Sequence, residues 1–128
     1  MRSDLRCGRF WLVFGWLAVA AALVVNLMPA RDLRAIHLND KFEHIVGYTL
    51  LTLYFCGIYP RSRYWRIALA FAVMGVVVEV LQGAMHWGRS EDIRDFYADA
   101  VGIAVGLACA LLGLRQWPRW LERTFSRA

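Results

Sequence analysis

The sequence predicts an all-α, polytopic membrane protein with four transmembrane helices and a C-terminal interfacial amphipathic helix. Three observations lead there. Of 128 residues, 59% are hydrophobic, and the mean hydropathy is +0.42. The apolar residues collect in four blocks, Phe10–Met28, Ile45–Tyr59, Ile67–Met85 and Phe96–Leu114, close to the roughly 20 residues a helix needs to cross a bilayer. Short charged stretches part the blocks. Continuous apolar runs exclude a β-barrel, whose strands alternate.

The first helix is expected at about 10–28. Arg2, Arg6 and Arg9 ahead of it, and Ala20-Ala21-Ala22 inside it, resemble a cleaved signal peptide. The apolar run is longer than a signal core and continues to Met28, so a retained helix is the reading. The second helix, about 40–59, spans only if it starts near Asp40. The third and fourth are expected at about 67–85 and 95–114. In the tail, Trp117, Trp120, Leu121 and Phe125 recur at helical spacing with Arg119, Glu122, Arg123 and Arg127 between them. Pro118 suits a first helical turn. The tail therefore reads as a helix over about 117–127 lying on the membrane surface, where its arginines meet anionic lipid. With no linker or repeat, residues 1–128 form a single domain.

The net charge of +5 points to no nucleic acid in such a chain; what matters is where the cations sit. Arg2, Arg6, Arg9, Arg61, Arg63, Arg66, Arg115, Arg119, Arg123 and Arg127 belong to one side of the membrane. Arg31, Arg34, Lys41, Arg89 and Arg94 belong to the other, with Asp32, Asp40, Glu43, Glu91, Asp92 and Asp95. The positive-inside rule then places both termini in the cytoplasm of a multi-pass cell-membrane protein. Cys7, Cys56 and Cys109 are far apart in sequence, which argues against a disulfide framework or a thiolate zinc site.

Ionisable groups within spans are costly, so they face the bundle interior and usually carry function. Asp40, His44 and Tyr48 share a stripe of the second helix, Glu79 and Gln82 a face of the third, and Asp95 and Asp99 a face of the fourth. All lie at one depth, just beneath the outer surface, with Arg89, Asp92 and Arg94 in the loop above. Gly102 and Gly106 continue the face of Asp99 inward and allow a neighbouring helix to approach closely. Lys41 and Glu43 also suit a solvated helix N-terminus.

The run Asp40-Lys41-Phe42-Glu43-His44-Ile45-Val46-Gly47-Tyr48 resembles the "DK..H...Y" opening of the VanZ-like family. Glu79-Val80-Leu81-Gln82 resembles its "E..Q" element. Gly88-Arg89, Asp92, Asp95, Asp99, Gly102 and Gly106 resemble its "GR..D..D...N..G...G" close, with Asp99 where the pattern has asparagine. The resemblance covers about Asp40 to Leu114. It implies a cell-envelope membrane protein of a family named for lowered teicoplanin susceptibility, and it supplies no reaction.

Two functions compete. In one, the chain acts on a lipid or lipid-linked envelope precursor: Glu79 is a general acid or base, His44 relays its proton, and Asp95 and Asp99 orient His44. Arg89 holds an anion there, and Asp40, Lys41, Tyr48, Gln82 and Asp92 line the substrate. Asp95 and Asp99 could instead join Glu79 around magnesium, calcium or manganese, which prefer oxygen ligands; the sequence itself names no metal, cofactor or oligomeric state. In the other, a non-enzymatic accessory protein uses the same network for packing and partner binding. A transporter fits less well, since no polar pathway continues through the inner halves of the spans.

Overall fold

The computed structural model describes residues 1–28, 40–85 and 93–125, with backbone alone at Asp40. Among the described residues there are five helices: α1 (Gly8–Leu27), α2 (Asp40–Ile58), α3 (Tyr64–Met85), α4 (Ile93–Leu111) and α5 (Trp117–Phe125). Short 3-10 turns at Arg61–Arg63 and Leu114–Gln116 lead into α3 and α5. Among the described residues there is no strand.

The helices differ from expectation mainly at two ends. α3 begins at Tyr64, so Arg66, expected in the preceding loop, stands in its first turn. α4 stops at Leu111 because Gly113 adopts φ 113°, a left-handed conformation that ends a helix at little cost only for glycine. The chain then bends by 75° into α5.

Two segments, Gly8–Leu27 and Arg61–Met85, are long and apolar enough to cross a membrane. α4 meets that standard only when joined to the bent tail beyond it. The reason is compositional. α2 opens with Asp40, Lys41, Glu43 and His44, and α4 with Arg94, Asp95 and Asp99, which dilute the apolar content of two 19-residue helices.

The bundle exposes apolar side chains around its circumference. Phe10, Leu17 and Val24 on α1, Leu50 on α2, Leu69 and Val73 on α3, and Val101 on α4 are all at least half exposed. A water-soluble protein does not leave so continuous an apolar coat. Inside, Tyr48, Phe55 and Phe71 form a chain of edge-to-face aromatic contacts, with centroids 6.2 Å apart for Tyr48–Phe71 and 5.6 Å for Phe55–Phe71.

Among the described helices, α2 lies against each of the others and most extensively against α4. Glycines set that approach. A Cβ on Gly102 would stand 2.6 Å from the Ile45 carbonyl oxygen, and one on Gly106 2.7 Å from that of Thr49. Nothing larger fits, because the obstacles are backbone atoms. The Thr49 hydroxyl seals the contact by donating to the Gly102 carbonyl at 3.1 Å.

At the opposite end, the first residues of the chain and α5 clasp the bundle. The Arg2 side chain is 8% exposed. Its guanidinium donates to the carbonyls of Gly57 and Arg115, each at 2.9 Å, while its backbone N–H donates to Ile58 O at 2.9 Å. These are last-turn and post-helix carbonyls, which lack intrahelical donors and sit at the negative end of the helix dipole. Asp4 pairs with Arg2 at 2.8 Å and also with Arg119 of α5.

The α1 N-terminus has no side-chain cap of its own and no acidic residue in its first turn. Glu122 supplies one from the far end of the chain. Its carboxylate accepts the backbone N–H groups of Arg6 and Cys7 at 3.1 and 2.9 Å and the Trp11 indole N–H at 2.9 Å. Trp117, next to the bend, stacks edge-on against Trp11 at 5.1 Å. Partial burial opposes the charge on Glu122, but the donors from Cys7, Trp11 and Arg6 outweigh it and hold its carboxyl below the usual 4.5. Because the folded value is the lower one, the clamp contributes its full stability above about pH 4.5 and loses it as pH falls through the folded value. Thermal unfolding followed by tryptophan fluorescence between about pH 5 and pH 3 checks this. Glu122→Gln should cost about 1 kcal/mol at neutral pH and flatten the acid limb; an acid limb as steep as the unmodified protein's would remove Glu122 from that role.

Candidate functional site

At the end of the bundle away from the clasp, α2, α3 and α4 bring polar side chains together. His44 and Tyr48 occupy successive turns of one α2 face, and both are buried. Asp99 stands one turn before Gly102, so the glycine contact that draws α4 onto α2 also carries its carboxyl to His44. His44 Nδ1 and Asp99 Oδ1 are 2.7 Å apart, with the two side chains 4% and 2% exposed.

Asp99 needs room as well as a donor, and Gly75 of α3 provides it. A Cβ there would stand 2.5 Å from Asp99 Oδ2 and 3.4 Å from the Tyr48 hydroxyl oxygen. Any side chain at position 75 therefore displaces the carboxylate. Glu79, one turn further along α3, is also buried and lies close enough to act electrostatically on the Tyr48 hydroxyl, as Asp99 does. The His44–Asp99 pair, Tyr48 and Glu79 thus form one cluster built by three helices.

His44 and Tyr48 also line a cleft of about 270 Å³ between α1, α2 and Met74 of α3. Ala21, Ala22 and Asn26 form its α1 side. The cluster is thereby reached from a cleft with mostly apolar walls.

Other expected site residues are placed differently. Gln82 is buried, but its amide donates to the Asn26 carbonyl at 2.7 Å, bracing α3 against the end of α1. Asp95 is buried in the first turn of α4, one turn from Asp99. Lys41 is exposed in the first turn of α2. Asp40 starts α2, and its side chain, like Arg89 and Asp92 entirely, lies outside the described residues. Among the described residues, no three or more of His, Cys, Asp and Glu are grouped to hold a metal ion; Glu79, Asp95 and Asp99 do not form such a set. Cys7, Cys56 and Cys109 are all free thiols.

Gly75 is the residue the sequence reading missed. Its one signal is position: it precedes Glu79 by four residues and so shares its stripe. A glycine within an apolar run is otherwise unremarkable in a membrane helix.

Chemically, a carboxylate on Nδ1 fixes the tautomer of an imidazole. With the Asp99 carboxylate accepting Nδ1–H, the neutral ring would carry its lone pair on Nε2, the form a general base takes. If the ring takes up a proton, the adjacent carboxylate stabilises the cation. The arrangement can accept and return a proton within a largely apolar bundle.

No curated protein and no solved structure matches the chain at a significant level. The family model described as VanZ/LLP1 matches residues 9–114, a stretch that includes all but the first residue of α1 and every buried polar residue of the cluster. The chain belongs to the VanZ-like family.

Proposed function

We propose that this chain is a four-span cell-membrane protein, with both termini in the cytoplasm, whose buried cluster acts on a lipid or lipid-linked envelope precursor at the outer headgroup level. The observation that carries the reading is the buried 2.7 Å His44–Asp99 pair beside Glu79, with His44 bordering the cleft. Burying several ionisable groups in so small a bundle is costly, and a proton-transfer role explains why they are kept. His44 serves as base, Asp99 holds its tautomer, and Glu79 is the second proton carrier. Arg89 would hold the phosphate or other anion of the headgroup, and Asp92 is assigned to the substrate by its place in the sequence.

Four spans are supported by length and by the direction of the polar groups. At 19 residues, α2 and α4 each measure about 28 Å, close to a hydrocarbon core of about 30 Å. Their His44, Asp95 and Asp99 turn inward, away from lipid. The excess of arginines on the clasp end supports a cytoplasmic location for that end. α5 then lies at the inner interface, with Trp120, Leu121 and Phe125 exposed toward lipid. A membrane-impermeant maleimide tests the topology in intact cells. It should label Ser90→Cys in a cysteine-free background but label native Cys7 only after lysis; the reverse pattern would invert the orientation.

The accessory reading is favoured by one observation, the use of Gln82 to tie α3 to the α1 backbone. Polar groups do serve packing here. The two readings separate in cells lacking the endogenous copy, through their lipid-linked precursor profile and teicoplanin susceptibility. The enzyme reading predicts that His44→Gln and Glu79→Gln each slow turnover by roughly 100-fold or more, the usual worth of an acid–base group, with normal insertion. Gly102→Leu should instead lower the amount of folded protein. Full function in both His44→Gln and Glu79→Gln would leave the accessory reading standing.

A further inference from the structure

A second cavity, of about 520 Å³, runs along the outside of the bundle between α1 and α3. Trp16 and Leu23 of α1 form one wall, Ala70 and Val77 of α3 the other, and Phe55 and Phe71 the floor. Only its clasp-side mouth is charged, by Arg63 and Arg66. Both arginines are exposed. Their guanidinium groups lie over aromatic rings, Arg63 at 5.9 Å from Tyr59 and Arg66 at 5.1 Å from Trp65. At the same end, Arg2 and Arg119 share the Asp4 carboxylate. Among the described residues no carboxylate pairs with Arg63 or Arg66.

We infer that this groove holds one acyl chain of an anionic phospholipid whose headgroup phosphate is bound by Arg63 and Arg66. Length supports the occupant: from Arg66 to Val77 the helix rises about 16 Å, half of a hydrocarbon core of about 30 Å, the depth of one leaflet. Charge supports it too. Two unneutralised cations beside Tyr59 and Trp65, aromatics suited to the headgroup level, meet a lipid carrying net negative charge better than one whose phosphate is already balanced by its own amine. The groove is separate from the His44–Asp99 cluster, and its occupancy does not depend on what that cluster does.

The test is native mass spectrometry of the detergent-solubilised full chain, given equal amounts of dioleoyl phosphatidylglycerol and dioleoyl phosphatidylcholine. The phosphatidylglycerol adduct should dominate by on the order of tenfold or more, since each arginine near a headgroup contributes a factor of about five. The surface double variant Arg63→Gln/Arg66→Gln should bring the two adducts close to parity. Ala70→Trp, which fills the groove and leaves both arginines, should remove both adducts. Parity in the unmodified protein would overturn the inference. So would a preference that survives arginine replacement, which would move headgroup binding to the cations of α5. Full lipid retention by Ala70→Trp would overturn it as well, because the chain would then lie outside the groove.

Discussion

The close approach of α4 to α2 at Gly102 and Gly106 is the constraint on which the rest of the structure depends. With the Ile45 carbonyl 2.6 Å and the Thr49 carbonyl 2.7 Å from where a Cβ would stand, the two backbones are as near as glycine permits. In lipid there is no hydrophobic force to press helices together, so this contact relies on dispersion and on the Thr49–Gly102 hydrogen bond. Asp99 is one turn from Gly102, and His44 directly precedes Ile45. Widening the contact by one methyl group therefore also separates the carboxyl from the imidazole. Packing and site geometry are one feature, and the site inherits its precision from backbone contacts rather than from flexible side chains.

The two ends of the bundle handle polar groups in opposite ways. At the site end, polar side chains are buried and paired within the protein, with His44 against Asp99 and Gln82 against the Asn26 carbonyl. At the clasp end, charged side chains gather helix termini: Arg2 covers the carbonyl ends around α2 and α4, and Glu122 the amide end of α1. Each charge meets the helix pole of opposite sign. The first few residues and α5 are thus tied to each other, to the end of α2 and to the turn between α4 and α5. On α5, Glu122 and Arg119 contact the first residues of the chain, while Trp120 and Phe125 are exposed.

Much of this was legible in the sequence because helical spacing is strict. Four-residue steps place His44 with Tyr48 and Asp99 with Asp95, and the apolar blocks locate the helices that carry them. Rotation about each helix axis is not encoded in spacing, so a shared depth could be read but a shared interior could not. The fate of Gln82 shows the difference: it is buried one turn from Glu79, yet its amide reaches the α1 backbone. Gly75 and Glu122 were invisible for another reason. Gly75 matters through a neighbour, Asp99, on a different helix, and Glu122 looks like any polar residue of an amphipathic tail until its partner more than a hundred residues away is known. The extents of α3 and α4 were misjudged where local rules compete: Arg66 is tolerated in a first helical turn, and Gly113 ends a helix that the apolar run would have continued.

The most direct test of the convergence at the site is thiol crosslinking between positions 44 and 99. It needs full-length protein in which the three native cysteines are serine, and a short bifunctional methanethiosulfonate reagent applied in native membranes. Cysteines at 44 and 99 should crosslink rapidly and nearly completely. A pair at 44 and the lipid-facing position 101 should not. Failure of the 44–99 pair in inserted, well-expressed protein, or equal reaction at 44–101, would mean that α4 turns Asp99 away from α2. The shared polar site would then be contradicted at its centre.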